Sequence, residues 1–116
     1  MATITKHILS GSTYGQPISV AATSTPGTTI HTTGTSATII DEIWLYATNN
    51  NTSAINLTIE YGSGDITLSI PSKSGLTIVL AGLILTGSGS VGTAVKAFAS
   101  SANQIELSGY VNRVTP

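Results

Sequence analysis

The sequence predicts a single all-β domain, an antiparallel, jelly-roll-like β-sandwich of about eight strands. A chain of 116 residues is long enough for one hydrophobic core and too short for two. Ile, Val and Leu dominate the apolar residues and Thr is abundant, a composition that favours pleated strands. Beyond residue 37 apolar and polar residues alternate with a period of two, and such runs recur roughly every ten residues.

Charge is scarce, which limits the kinds of partner that the chain can bind. Only 8% of the residues are charged and the formal net charge is −1, against about 25% charged residues in an average soluble protein. Four Lys and Arg residues cannot follow a phosphate backbone, so we expect no nucleic-acid partner. A net charge near zero gives little repulsion between copies, which favours a working form that is already assembled.

Cysteine is absent, which excludes disulfides, thiolate catalysis and zinc–thiolate sites.

The longest apolar stretch, residues 76–85, has about half the length of a membrane span, so we expect no membrane partner. The first ten residues contain one Lys and no long apolar run, and we therefore expect no signal peptide.

Residues 1–36 differ from the rest because they have many hydroxyl side chains and few large apolar ones. Strands are predicted over residues 3–9, 18–22 and 28–33. Two interpretations stay open. The segment is either an extended arm that pairs with a sheet edge of its own or a neighbouring chain, or a set of ordinary edge strands. Residues 37–116 are predicted to form the sandwich core, with one domain overall.

The run from residue 39 to residue 48 has two apolar faces. One face carries Asp41 with three aliphatic residues, and the other carries Glu42 with Ile40, Trp44 and Tyr46. Such a strand either is covered on both sides or meets another subunit with its outer face, and the second interpretation suits a small sandwich better. Because Asp41 and Glu42 are adjacent, they point to opposite faces and cannot act as a catalytic pair.

Four later runs alternate in the same way. Their predicted inward residues are Ile55, Leu57, Ile59 and Tyr61; Ile66, Leu68 and Ile70; Leu76, Ile78 and Leu80; and Ile105, Leu107, Gly109 and Val111. The pair Ala81–Gly82 interrupts the third run as a kink or a bulge. Residues 93–102 tolerate a helix, but their alternation favours a strand.

The candidate motifs for chemistry are weak. Residues 87–92 match the G-x-G-x-x-G pattern, yet no helix is predicted to build a dinucleotide-binding fold, so we interpret them as a loop between strands. His7 and His31 lie in Thr-rich strands without metal-ligand spacing, and we interpret each as a strand-surface or interface residue. We therefore expect no enzyme activity, no cofactor and no metal.

The outward aromatic residues are the best candidates for a binding surface. Trp44, Tyr46 and Tyr110 point away from the predicted core. They could stack on a sugar, or they could fill a contact with another subunit, and we favour the contact. The predicted interface residues are Trp44, Tyr46, Ile40, Tyr110 and His31.

Residues 41–116 contain three features that together resemble a known group of proteins. These are the strand ending Tyr46-Ala47-Thr48-Asn49, the Ile-Pro-x-x-Ser-Gly segment at residues 70–75, and the ending Ser-Gly-Tyr-Val-Asn-Arg at residues 108–113. The pattern resembles small β-sandwich virion proteins of tailed bacteriophages, notably marine and cyanobacterial ones.

The resemblance implies a capsid decoration, or cement, protein that binds the major capsid protein on the head shell. It also implies a homo-oligomer, with a trimer favoured, that is made in the host cytoplasm and located on the capsid surface of the virion. Other phage proteins of this kind form tail or fibre parts, which leaves a module that binds host-surface carbohydrate as the alternative.

Overall fold

The computed structural model describes residues 2–116, and these form nine strands in two antiparallel sheets without a helix. The sheets pack face to face, which confirms the predicted β-sandwich. The strands are β1 (Thr3–Ile8), β2 (Ile18–Ser19), β3 (Thr28–Thr32), β4 (Ile40–Asn49), β5 (Ile55–Tyr61), β6 (Gly64–Ile70), β7 (Thr77–Leu85), β8 (Ala94–Ala99) and β9 (Ile105–Thr115).

The five-stranded sheet has the order β1–β9–β4–β7, and the short β2 also pairs with β9. The four-stranded sheet has the order β3–β8–β5–β6. In the described chain no helix is long and apolar enough to cross a membrane. Residues 94–99 form a strand, as the alternation of that segment predicts.

The core lies between the inner faces of the two sheets. Ile43 and Leu45 of β4 face Leu57 and Ile59 of β5, and all four are completely buried. The predicted alternation is therefore confirmed in β4 and β5, and also in β6 and β9. Burial of one such side chain contributes about 1.5–3 kcal/mol, which makes this layer the main source of stability.

Strand β7 departs from the predicted alternation. Leu80 is buried, but Leu76 and Ile78 are exposed, so their predicted inward orientation is wrong. The pairing register explains the difference, because Leu45 pairs with Leu80 while the next residue of β4 pairs with Ile78. Val79 is therefore an extra residue in β7, and a bulge of this kind moves the residues that precede it to the other face.

A second bulge in β7 contains Gly82. Ile43 pairs with Leu83 and Trp44 pairs with Ala81, so Gly82 is left between two paired positions. Its φ angle of +81° lies in the left-handed region that glycine adopts without steric cost. The predicted interruption at Ala81–Gly82 is thus a bulge.

The N-terminal segment, of which Met1 lies outside the described residues, pairs with the chain's own sheets. Strands β1 and β2 pair with β9, and β3 pairs with β8. Leu9, Val20 and Ile30 from this segment are buried in the common core. The segment therefore supplies edge strands and core side chains to the same sandwich.

The glycine-rich residues 87–92 connect β7 to β8 as a loop, and no helix follows them. A Cβ atom added at Gly87 would lie 2.3 Å from the carbonyl oxygen of Gly34, and one at Gly92 would lie 2.2 Å from that of Thr33. Glycine is required at both positions because two backbone segments approach closely there. These glycines therefore have a packing role in the loop.

Candidate functional site

The five-stranded sheet turns one face to solvent, and this face is the best candidate for a contact surface. We define the outer face as the solvent-facing residues of β1, β9, β4 and β7. Cross-strand pairing places them in rows, which are Ile4, Val114 and Ile40; Lys6, Asn112, Glu42 and Ile84; Ile8, Tyr110, Trp44 and Ala81; and Ser108, Tyr46 and Ile78.

Apolar side chains are unusually exposed on the outer face. Ile4, Ile8, Ile78 and Ile84 each keep between 52% and 68% of their surface in contact with solvent. They lie on the two edge strands β1 and β7 and flank the aromatic residues of the central strands. Several exposed apolar side chains on one sheet face are typical of a protein contact site, whereas single scattered ones are ordinary on a protein surface.

Two aromatic rings lie side by side at the centre of the outer face. Trp44 on β4 pairs with Tyr110 on β9, and their nearly parallel rings have centroids 6.3 Å apart. The ammonium nitrogen of Lys6 lies 4.8 Å from the centroid of the Tyr110 ring, which is a cation–π distance. The two rings and the ammonium thus form one stacked group at the centre of the outer face.

A hydrogen-bonded carboxylate orients Trp44. The indole Nε1–H of Trp44 donates to Oε1 of Glu42 at 2.6 Å, and the side-chain amide of Asn112 donates to the same oxygen at 3.2 Å. These hydrogen bonds, chiefly the one from Trp44, lower the pKa of Glu42 below its ordinary value. The outer face thus carries one fixed negative charge, one row away from its aromatic centre.

The structure brings four of the five predicted interface residues together. Ile40, Trp44, Tyr46 and Tyr110 all lie on the outer face. His31 does not join them, because only 1% of its surface is exposed and it lies in the interior. A register shift in β3 between Thr29 and His31 turns two consecutive residues of that strand inward.

Beneath the outer face, His31 belongs to a buried charge cluster with Asp41 and Arg113. The guanidinium of Arg113 donates to both Asp41 oxygens, from Nε at 2.7 Å and from Nη2 at 3.0 Å. Nε2 of His31 donates to Asp41 at 2.8 Å, while Nδ1 of His31 accepts the backbone N–H of Ser10 at 3.0 Å. The cluster therefore joins β3, β4, β9 and the segment that follows β1.

Asp41 is ionised in this cluster although only 1% of its surface is exposed. Burial by itself raises the pKa of this carboxyl, but the hydrogen bonds from Arg113 and His31 and the charge of Arg113 outweigh burial and lower it. The sequence does contain a signal for this cluster, namely a carboxylate among the inward apolar residues of a strand. A carboxylate in that position requires a buried partner. Its partners, however, lie 10 and 72 residues away along the chain.

An open pocket of about 420 Å³ lies against the other sheet and holds a second carboxylate. Glu60 accepts the hydroxyl of Thr25 at 2.6 Å and the backbone N–H of Gly27 at 2.7 Å, and these bonds lower its pKa. Because each oxygen of Glu60 already accepts a hydrogen bond, the carboxylate serves to hold the segment around Pro26. Across residues 2–116 no three His, Asp or Glu side chains are close enough to hold a metal ion.

Comparison with protein-family models, curated proteins and solved structures found no match to this chain. The two candidate features of the chain are the outer face and the buried charge cluster. A partner can reach the outer face because it is exposed to solvent. The side chains of the cluster instead form hydrogen bonds with one another.

Proposed function

We propose that this protein is a structural component of a phage virion. In this role it is a capsid decoration, or cement, protein that binds the major capsid protein and stabilises the head shell through β-sheet surface contacts. The sequence resemblance over residues 41–116 supports the viral assignment. The observation that carries the contact role is the outer face, with its exposed isoleucines around Trp44 and Tyr110.

The composition of the surface suits lasting contact. Burial of the exposed half of one isoleucine contributes about 1 kcal/mol, so the four exposed isoleucines supply a useful part of a binding free energy. Only 8% of the residues are charged, so few ions have to be desolvated when a sheet face is covered. A decoration protein turns over no substrate and needs only many equal, durable contacts.

The proposal includes assembly and location. The low net charge favours a homo-oligomer, and the resemblance favours a trimer on the symmetric capsid surface. Synthesis takes place in the host cytoplasm, followed by attachment to the virion. No nucleic-acid or membrane partner enters the proposal.

The test of the proposed function is where the protein lies in a virion. Imaging of purified virions should show density for an 11.8 kDa sandwich on the head shell. Virions that lack the protein should lose their shells at a lower temperature and recover when the purified protein is added back. Density found only on the tail would reject the decoration role.

A tail or fibre module that binds host-surface carbohydrate is the second candidate. It is favoured by the parallel rings of Trp44 and Tyr110, which have the polar groups of Glu42 and Asn112 directly beside them. Aromatic faces stack on the apolar faces of sugar rings, and neighbouring amides and carboxylates bind hydroxyls.

A glycan array distinguishes this candidate from the first. Under the carbohydrate hypothesis the wild type binds specific glycans, and Trp44→Ala loses binding while it stays folded, as a cooperative melt shows. Tyr14→Ala is the matched control, since Tyr14 is an exposed aromatic residue outside the outer face. An array without binding by the wild type would reject this candidate.

A further inference from the structure

We infer that the outer face binds the outer face of a second copy of this chain in a two-fold contact whose axis runs along β9. The inference goes beyond the proposed function, because it assigns the outer face to a contact between two copies. It replaces the trimer that the resemblance favours by a two-fold dimer, and it leaves capsid binding to the surfaces of that dimer which stay exposed. It rests on the pairing register of the sheet and on the charges that this register places.

Two opposite charges flank β9 at equal distances. Lys6 on β1 and Glu42 on β4 both pair with Asn112 of β9, one on each side. Neighbouring strands are about 4.8 Å apart, so each charged residue lies one strand spacing from the central strand. A rotation of 180° about β9 exchanges the two sides of the sheet and turns the face over. It thereby places Lys6 opposite the second copy's Glu42, and the symmetry makes this pair twice.

The same rotation matches apolar residues in the two adjoining rows. Ile4 lies opposite Ile40 of the second copy and Ile8 lies opposite Trp44, while the central residues of β9 lie opposite themselves. The central residues are Val114 and Tyr110. Apolar rows therefore enclose the charged row on both sides, which limits the access of water to the ion pairs and makes them less sensitive to screening.

The charges favour this axis over one that crosses the strands along the row of Asn112. The crossing axis would place Lys6 opposite Lys6 and Glu42 opposite Glu42, and like charges in contact disfavour association. Glu42 is also prepared for an ion pair, because both of its hydrogen bonds within the chain are made by Oε1. Oε2 accepts no hydrogen bond from residues 2–116, so it can accept the ammonium of the second copy's Lys6 once that ammonium leaves the Tyr110 ring of its own chain.

The contact is of moderate size. Only β1, β9 and β4 overlap, over three rows, while β7 with Ile78 and Ile84 lies outside the overlap. The buried area is therefore below the roughly 800 Å² per partner of a standard stable interface. We therefore expect a dimer with a dissociation constant in the micromolar range. Such an affinity leaves the dimer sensitive to the reversal of a single charge.

Charge reversal followed by sedimentation velocity tests the inference in the absence of virions. The wild type should dimerise between roughly 1 and roughly 500 µM. Lys6→Glu and Glu42→Lys should each raise the dissociation constant at least about tenfold, because each variant places like charges opposite each other twice. The double variant should dimerise again, since it restores both ion pairs with reversed sign.

A mixing experiment tests whether Lys6 of each copy lies opposite Glu42 of the other. The Lys6→Glu chain is acidic at both positions and the Glu42→Lys chain is basic at both, so an equimolar mixture should form a heterodimer with opposite charges in each of the two contacts. Asp65→Lys on the opposite sheet and Lys73→Glu in a turn are the matched charge-reversal controls, and both should dimerise like the wild type. Lys6 is exposed, so Lys6→Glu tests the contact even if Glu42→Lys folds poorly.

Four results would overturn the inference. They are a wild type that stays monomeric throughout the concentration range, a wild-type trimer, a dimer that is indifferent to Lys6→Glu, and two folded single variants whose mixture does not associate. Because no capsid is present, these results do not bear on where the protein lies in a virion, and a wild-type trimer would overturn the two-fold contact while agreeing with the assembly that the resemblance favours. Equally, absence of the protein from the head shell would leave the two-fold contact standing.

Discussion

The carboxylate of Asp41 provides the sharpest test of how this sandwich is held together. Asp41→Asn keeps the shape of the side chain and removes its charge. In the wild type the carboxylate accepts two hydrogen bonds from Arg113 and one from His31, with distances between 2.7 and 3.0 Å. The variant leaves a guanidinium next to a neutral amide and turns an N–H group toward one of the former donors.

The expected loss of stability follows from these contacts. Hydrogen bonds to charged groups contribute about 1.5–3 kcal/mol each, and removal of one partner from a buried ion pair costs about 3–5 kcal/mol. The amide of the variant still accepts one of the three hydrogen bonds. The Arg113 side chain is 29% exposed and can turn partly toward water, which reduces the penalty. We therefore expect Asp41→Asn to lower the free energy of unfolding by about 3 kcal/mol.

Urea unfolding at neutral pH measures this free energy. Asp65→Asn is the matched control, because Asp65 is an exposed carboxylate on the edge strand β6, and it should change the free energy by less than about 0.5 kcal/mol. Arg113→Met should also destabilise the protein, and the double variant should lose less than the sum of the two single losses. A loss below about 1 kcal/mol for Asp41→Asn would refute the assignment of a stabilising role to the cluster.

The pH dependence follows from the lowered pKa of Asp41. Its folded-state pKa lies below the ordinary value of 3.8, so the folded state favours the ionised form. This contribution is present above pH 3.8 and is lost as the pH falls through the folded-state pKa. The difference in unfolding free energy between wild type and Asp41→Asn should therefore shrink in that acidic range, and a difference that instead widened there would contradict the sign.

Three further substitutions test the core and the glycine positions, with urea unfolding or thermal melting as the measurement. Leu57→Ala should cost about 2–5 kcal/mol because the side chain is completely buried, and a loss below about 1 kcal/mol would mean that it faces outward. Gly109→Ala should abolish the cooperative melt, since the new Cβ would lie 2.0 Å from the carbonyl oxygen of Trp44. Gly82→Ala should cost about 1–2 kcal/mol through its left-handed φ, whereas the control Gly34→Ala, which meets nothing within 4 Å, should be nearly neutral.

Which residues share a face of β4 and β5 could be predicted from the sequence alone. The alternation of Ile43 and Leu45 with Glu42 and Trp44 is a local property, because successive side chains of any extended strand point to opposite sides. That periodicity was enough to predict the sandwich and to place Trp44 on the outer face together with Tyr46. It also showed that Asp41 points inward.

The pairing register between strands decided where the alternation shifts and which distant residues meet. Bulges in β3 and β7 turned His31 inward and Ile78 outward, against the predicted positions. A bulge is defined by the opposite strand, which the local alternation does not contain. Sequence periodicity therefore determined which residues of a strand share a face. Only the tertiary structure decided that Arg113 and His31 meet Asp41, because β9 and β3 reach the carboxylate of β4 through long-range packing.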